Sequence, residues 1–322
     1  MKYMMMSEQY KMEVYKLYAS FQKEKKFFKS LTKKEFNSIL FNSQYYCNNG
    51  SFVCIENNSV IGFISCNVTD QKREGFGYIN TIIVAKEYRL QGVGTTLLRL
   101  GEEYLSNMGK KNARFVFLSQ INWPWYIPNT PKHIHPGMPC VPINSPFYLF
   151  LYHNGYKVNS IHEGFHVDLR NYYLPSKVIE RDKENEKLGI VVEKYDATKH
   201  HGLDEFCEEA TAGFARAIKS NLARKSPYPF IVAALNGEIV GWTGAIYTEP
   251  SGRGHLDGIF VSAKVRGKGL GTSIFARLCY ESKQNNAQYM TLFTGLDNYA
   301  RYIYMGAGFN VAQSFADMCK EL

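Results

Sequence analysis

The chain has 322 residues, 45% of them apolar, with 23 Tyr and 21 Phe, which is enough for two globular domains with filled cores. Net charge is +9 and uneven: residues 1–170 hold 20 Lys+Arg and 12 Asp+Glu (+8), the remainder 18 and 17 (+1). Seven cysteines without a Cys-x-x-Cys pair argue against a disulfide framework or a zinc site, and no apolar run has the length of a signal-peptide core or a membrane span.

Residues from about Ser7 to Phe41 read as two amphipathic helices, with Thr32 and Glu35 spaced as a capping box for the second. A hairpin follows: residues 52–55, a turn at Asn57-Asn58, and residues 60–64. Residues 78–84 are predicted as a strand. The phrase Arg89-Leu90-Gln91-Gly92-Val93-Gly94 comes next, ahead of Thr95. Leu97, Leu98, Gly101, Tyr104, Leu105 and Met108 then lie at helical spacing, with Gly109 as the stop. Residues 114–118 are strand-like. Residues 120–146 hold seven of the eleven prolines, so they are neither helix interior nor central strand. They also carry Trp123, Trp125, Tyr126, His133 and His135, and a long aromatic loop of this kind predicts a functional or partner-facing segment. Residues 147–152 resume a helix and 164–169 a closing strand.

Residues 172–187 are densely charged and read as a linker. Beyond it the order repeats. Residues 189–193 form a strand, and Leu203, Phe206, Cys207, Ala210, Phe214, Ala217 and Ile218 mark one helix face. Residues 230–235 and 238–247 flank Asn236-Gly237, a strong hairpin turn. Residues 255–261 are a strand, followed by a second phrase, Arg266-Gly267-Lys268-Gly269-Leu270-Gly271, then Thr272 and a helix. A strand at 289–293, a helix at 299–305 and a last strand after Gly308-Phe309 complete the chain. Each half therefore reads as helix, hairpin, strand, glycine turn, helix, strand, helix, strand. The expected class is mixed α/β layers made twice, each a mostly antiparallel sheet flanked by helices, with domains at 1–171 and 188–322.

A glycine turn between a strand and a helix lets backbone N–H groups approach an anion that the helix dipole also favours. Neither copy has the spacing of a P-loop, and neither has the third glycine of a dinucleotide fold. The pattern Arg-x-x-Gly-x-Gly, after a strand that follows a hairpin, resembles the pyrophosphate loop of the GNAT superfamily of N-acetyltransferases. The second half is the more similar, from Phe260-Val261 through Thr272, and again at Asp297, Ala300, Tyr304 and Gly308-Phe309. The family usually has Asn where this chain has Asp297. The first half is similar at Arg89 to Thr95, at Asn144 and at Gly155-Tyr156.

The resemblance implies acetyl-CoA binding. The backbone of Ile259, Phe260 and Val261, and of Val84 in the first half, would line the pantetheine. The N–H groups of Gly267, Lys268, Gly269, Leu270, Gly271 and Thr272, beside Arg266, would cradle the pyrophosphate. Arg89, Leu90, Gln91, Gly92, Val93, Gly94 and Thr95 would do the same in the first half. The resemblance also implies a tyrosine acid on the late helix. Tyr304 stands four residues before Gly308, whereas Leu151 stands four before Gly155, and Tyr152 is about a quarter-turn away.

Acetyl transfer to an amine also needs a proton acceptor. His255 and Asp257 share one strand face by period two, and each is a candidate base, directly or through water. Tyr78 and Asn80 occupy the matching positions of the first half and are poor bases. The expectation is a cytoplasmic N-acetyltransferase that moves acetyl from CoA to a small-molecule primary amine by direct attack. Its chemistry belongs to the C-terminal domain, its N-terminal domain is degenerate, and no metal, membrane or nucleic acid takes part. The alternatives are an acyl-CoA-binding or sensing protein without turnover, and catalysis in the N-terminal domain with His133 or His135 of the Pro-rich loop.

Overall fold

The computed structural model describes every residue except 25–26, 69–74, 117–119, 136 and 138–139, and leaves the side chain of residue 24 undescribed. It divides into two units: Met1–Glu163 with Gln313–Leu322, and Gly164–Ala312. Part of the strand expected at 114–118 lies outside the described residues.

Unit 1 begins with β1 (Lys2–Met5), a strand the polar surroundings of Met4 to Met6 did not announce. Helices α1 (Lys11–Glu24) and α2 (Lys33–Ile39) follow. Thr32 and Glu35 form the capping box at the start of α2, satisfying two backbone donors that the helix leaves open. Then come β2 (Ser51–Glu56), β3 (Ser59–Asn67) and β4 (Phe76–Val84). After the glycine turn the chain forms α3 (Val93–Asn107), β5 (Asn112–Phe115), β6 (Val141–Pro142), α4 (Pro146–His153) and β7 (Lys157–Asp168).

Strand β3 is buried along nearly its whole length because both faces are covered. Ile64 packs in one core with Leu97 and Leu98 of α3, and Phe63 in another with Val14, Leu17 and Tyr18 of α1. Burying each such side chain is worth about 1.5–3 kcal/mol. The aromatic residues of the Pro-rich segment belong to this packing. Trp123 lies in the α1 core, stacked on Tyr18 at 4.8 Å, and Trp125 is fully buried beside Phe315.

In unit 2 the segment expected as a linker, with Pro175 at the first turn of a short helix, is α5 (Ser176–Glu186), and Pro175 stands at its N-cap. Its buried Val178 joins the unit's core, which is why so polar a sequence is held as a helix. There follow β8 (Ile190–Lys194), α6 (Leu203–Glu209), α7 (Ala212–Leu222), β9 (Ile231–Leu235), β10 (Glu238–Gly244) and β11 (Gly258–Val261). The single helix face read from Leu203 to Ile218 is two helices, broken where Thr211 turns extended and caps α7. Asn236 and Gly237 both take positive φ, as the β9–β10 turn requires. Helix α8 (Leu270–Gln284), β12 (Tyr289–Gly295), α9 (Ala300–Gly306) and β13 (Asn310–Glu321) end the chain.

Sheet order in unit 1 is β1-β2-β3-β4-β5-β13-β7; in unit 2, β12 lies beside β7, and a four-stranded sheet runs β11-β10-β9-β8. The final strand thus leaves the half in which it was expected: Met318 to Glu321 pair with Phe115 to Asn112 of β5. Its buried Phe315, Ala316 and Met318 find their cover there, so the units depart from the divisions expected at 171 and 188.

Candidate active site

The chain just before β11 is anchored to β12. Arg253 bridges to Tyr289, the Gly254 N–H donates to the Tyr289 carbonyl at 2.9 Å, and Arg253 Nε and Nη2 both donate to the Thr291 carbonyl, at 3.1 and 2.7 Å. From Gly258 onward the two strands part, and β11 becomes the edge of the four-stranded sheet. Phe260 opposes Trp242, and the Ser262 N–H donates to the Val240 carbonyl on the β10 side. By alternation the backbone groups of Ile259 and Val261 face the open side. An extended chain laid there has donors and acceptors to meet.

Beyond β11 a short turn, Ala263–Val265, leads to the glycine phrase. Glu209, from the end of α6, accepts a hydrogen bond from the Ala263 N–H at 2.9 Å and fixes the approach. That bond also holds its carboxyl below the usual range. Gly267 and Gly269 take φ of +81° and +70°, and Gly269 caps α8. A Cβ at Gly271 would stand 2.7 Å from Ile303 Cδ1, so a side chain there would make Ile303 of α9 shift. Arg266 and Lys268 are exposed beside the turn. Bare N–H groups at a helix start with two cations nearby fit a diphosphate. The glycine turn thus places an anion cradle directly beyond the open edge of β11.

His255 and Asp257 lie between the anchor and the open edge. His255 Nε2 meets Asp257 Oδ1 at 2.9 Å, and its Nδ1 meets Glu249 Oε1 at 3.0 Å. Arg253 Nη1 donates to the same Glu249 oxygen at 2.7 Å, and Asp257 Oδ2 accepts from the Ala245 N–H at 2.9 Å. Tyr247 stacks on the imidazole at 4.2 Å, with Tyr228 stacked behind it at 4.4 Å. Burial pulls the His255 pKa down, but the hydrogen bonds to Asp257 and Glu249 outweigh it and hold the imidazole above its usual value. Both ring nitrogens face carboxylates, so the ring is a poor free base. Asp257 is the more exposed group, and each of its oxygens keeps a second lone pair.

Tyr304 sits in α9 with its ring among Phe165, Phe275 and Phe309. Burial pushes its phenol up, so it carries its proton at neutral pH. Asp297 is exposed; its neighbour Asn298 shapes the entry to α9, donating to Thr294 Oγ1 at 2.9 Å and accepting from the Ala300 N–H at 3.0 Å.

Unit 1 has the same frame with different contents. Among the described residues its β4 and β5 pair at Phe76–Tyr78 against Asn112–Arg114, and β4 continues to Val84. Arg89 Nε donates to the Val84 carbonyl at 3.0 Å, and the Trp123 indole donates to the Asn80 carbonyl at 3.2 Å. Leu90 is fully exposed at positive φ, Gln91 donates to the Glu87 carbonyl, and Gly92 caps α3. Val93 is buried in the core, Gly94 packs near Phe150, and Thr95 is exposed. Leu151 is fully buried and Tyr152 is exposed. His135 is buried against Trp125 and His133. Among the described residues no group of His, Cys, Asp and Glu is placed to hold a metal, and no helix is long and apolar enough to cross a membrane.

The model of the acetyltransferase (GNAT) family matches residues 13–123 and 194–309, more than half of the chain, and the chain belongs to this family. It is an acyltransferase with the tandem form of the fold, and acetyl-CoA is the donor that the family generally uses. Three solved structures are similar in fold. One is the glucosamine N-acetyltransferase region of a fungal multi-domain GH3 β-N-acetylglucosaminidase, at TM-score 0.58 and 16% identity, covering 99% of this chain and 38% of that one. Another is a GCN5-related N-acetyltransferase from Sphaerobacter thermophilus, at 0.55 and 15%, covering 99% and 95%. The third is a tandem GNAT protein of the clavulanic acid biosynthesis pathway, at 0.50 and 13%, covering 99% and 98%. This chain thus spans well under half of the first protein and nearly all of the other two. No curated protein matches it.

Reading the residues alone missed Glu249, Arg253 and Asn298. For Glu249 a signal was present, since it stands six residues before His255 in a turn-rich stretch, but nothing in that spacing says the chain folds back. The Thr248–Gly254 bridge makes that fold.

Proposed function

We propose that unit 2 transfers the acetyl group of acetyl-CoA to a small-molecule primary amine, and that unit 1 is a degenerate copy without turnover. The observation that carries this reading is Asp257, tied by His255 and the Ala245 N–H immediately before the open edge of β11. Acetyl-CoA supplies the acetyl thioester. Ile259, Val261 and the residues from Arg266 to Thr272 hold it. Asp257 takes the ammonium proton of the acceptor, directly or through a water. His255 keeps that carboxylate oriented, and Tyr304 delivers its proton to the departing sulfur. With the proton transfers so assigned, the amine attacks directly and needs no cysteine. The Cys279 and Cys207 thiols are held by burial in the protonated, inert form.

Among its described residues unit 1 offers no equivalent. Trp123 and Arg89 already bond the carbonyls at Asn80 and Val84, Leu151 replaces the acid, and in the Pro-rich segment His135 packs against Trp125 and His133 against His135. Seven free thiols support a reducing, cytoplasmic setting, and neither unit calls for a nucleic acid or a membrane. The test is release of free CoA thiol from acetyl-CoA over a panel of primary amines. Turnover with at least one amine that falls away in Asp257→Asn sustains the reading. Tight CoA binding with no thiol release for any amine marks a CoA-binding protein instead.

A further inference from the structure

Helix α5 reaches the glycine turn of unit 2. Asn185, 4% exposed, donates from Nδ2 to the Lys268 carbonyl at 3.1 Å and latches the last turn of α5 to that loop. Arg181 stands four residues earlier, on the same helix face. Its side chain lies along the backbone of Gly269. A Cβ built at Gly269 would fall 2.3 Å from Arg181 Cδ, 2.4 Å from Nη1 and 2.6 Å from Nε. The absence of a side chain at Gly269 therefore does two things: it permits φ of +70° and it admits a guanidinium.

The neighbouring acid does not neutralise this guanidinium through an ion pair. Asp182 faces Arg277, at 3.7 Å, and among the described residues Arg181 has no carboxylate within salt-bridge distance. The two sides of the loop thus differ in kind. Gly271 meets the apolar Ile303, while Gly269 meets a cation. Unit 1 lacks the second feature among its described residues, because a Cβ at the equivalent Gly92 would meet none of them within 4 Å.

We propose that Arg181 is a specificity-determining residue of the donor site, gripping the phosphate-bearing end of CoA from the α5 side of the loop. The helix that looks like a linker would then be part of the binding site. Guanidinium donors suit phosphate oxygens because two parallel N–H groups match two oxygens. This inference rests on the reading of unit 2 as the acetyl-CoA site.

The test is calorimetric titration of the full chain, as wild type, Arg181→Gln and Arg181→Lys, with CoA, dephospho-CoA and phosphopantetheine. Arg181→Gln is expected to weaken CoA about tenfold or more, with Arg181→Lys recovering part of the loss. Melting curves check that the exposed substitution leaves the fold intact. An equal loss with dephospho-CoA assigns the contact to the diphosphate, and a loss confined to CoA assigns it to the 3′-phosphate. CoA affinity within twofold of wild type in Arg181→Gln overturns the inference and leaves the donor site standing. No CoA binding by the wild type overturns both.

Discussion

His255 and Asp257 touch at 2.9 Å between Nε2 and Oδ1, so the two acid–base residues of the segment that leads into β11 are one hydrogen-bonded unit. Glu249 closes the unit from the other ring nitrogen, and Arg253 ties Glu249 to the Thr291 carbonyl. A proton acceptor held at both ends keeps its geometry while strands β11 and β12 part beside it.

Asp257→Asn keeps the shape of the side chain and removes its basicity. Turnover is expected to fall about 10²-fold or more, with acetyl-CoA affinity within about threefold of wild type. His255→Gln, which loses only the orienting contact, should cost less. A larger loss in His255→Gln than in Asp257→Asn reverses the two roles.

Tyr304→Phe removes one hydroxyl from a ring whose packing against Phe165, Phe275 and Phe309 stays intact. The kcat is expected to drop about 10²-fold with little change in CoA affinity. Unchanged kcat would show that another group protonates the sulfur.

The His255 pKa is raised above its ordinary 6.5 by partners present only in the folded chain. The stability this lends is fully present below that ordinary value and is lost as pH rises through the folded value. The difference in Tm between wild type and Glu249→Gln should therefore be largest near pH 6 and shrink at alkaline pH. The Arg253 contact leaves a remainder. A difference that grows with pH would contradict the charged His255 inferred from its two carboxylates.

The two glycine turns should respond differently to the same change. Gly271→Val places a branched side chain where even a Cβ stands 2.7 Å from Ile303 Cδ1, and CoA binding should be lost. Gly94→Val, close to Phe150 in unit 1, should leave CoA affinity and a stoichiometry of one per chain unchanged. A stoichiometry of two would restore unit 1 as a donor site.

The repeated order of elements was legible because each signal is local: hydrophobic period, the Asn236-Gly237 turn, the Thr32–Glu35 box and two glycine phrases after strands. So was the contrast between Tyr304 and Leu151. What escaped depends on contacts far apart in the chain. Trp123 reads as a loop aromatic until Tyr18 and Phe36 close over it. Residues 176–186 read as no more than a short linker helix, because what docks them, Val178 in the core and the contacts at Lys268, Gly269 and Arg277, lies far along the chain. Arg253 looks like any turn cation until its guanidinium finds the Thr291 carbonyl, 38 positions on.

The position of β13 has a consequence for synthesis. Unit 1 needs Gln313–Leu322 between β5 and β7, yet those residues are made only after Gly164–Ala312 of unit 2. Until they arrive, β5 and β7 carry unpaired edges and Phe115 lacks its partner Met318. The N-terminal unit, although made first, is therefore the one whose sheet is finished last, and a chain that stops short of residue 313 leaves its first unit, not its second, without a strand.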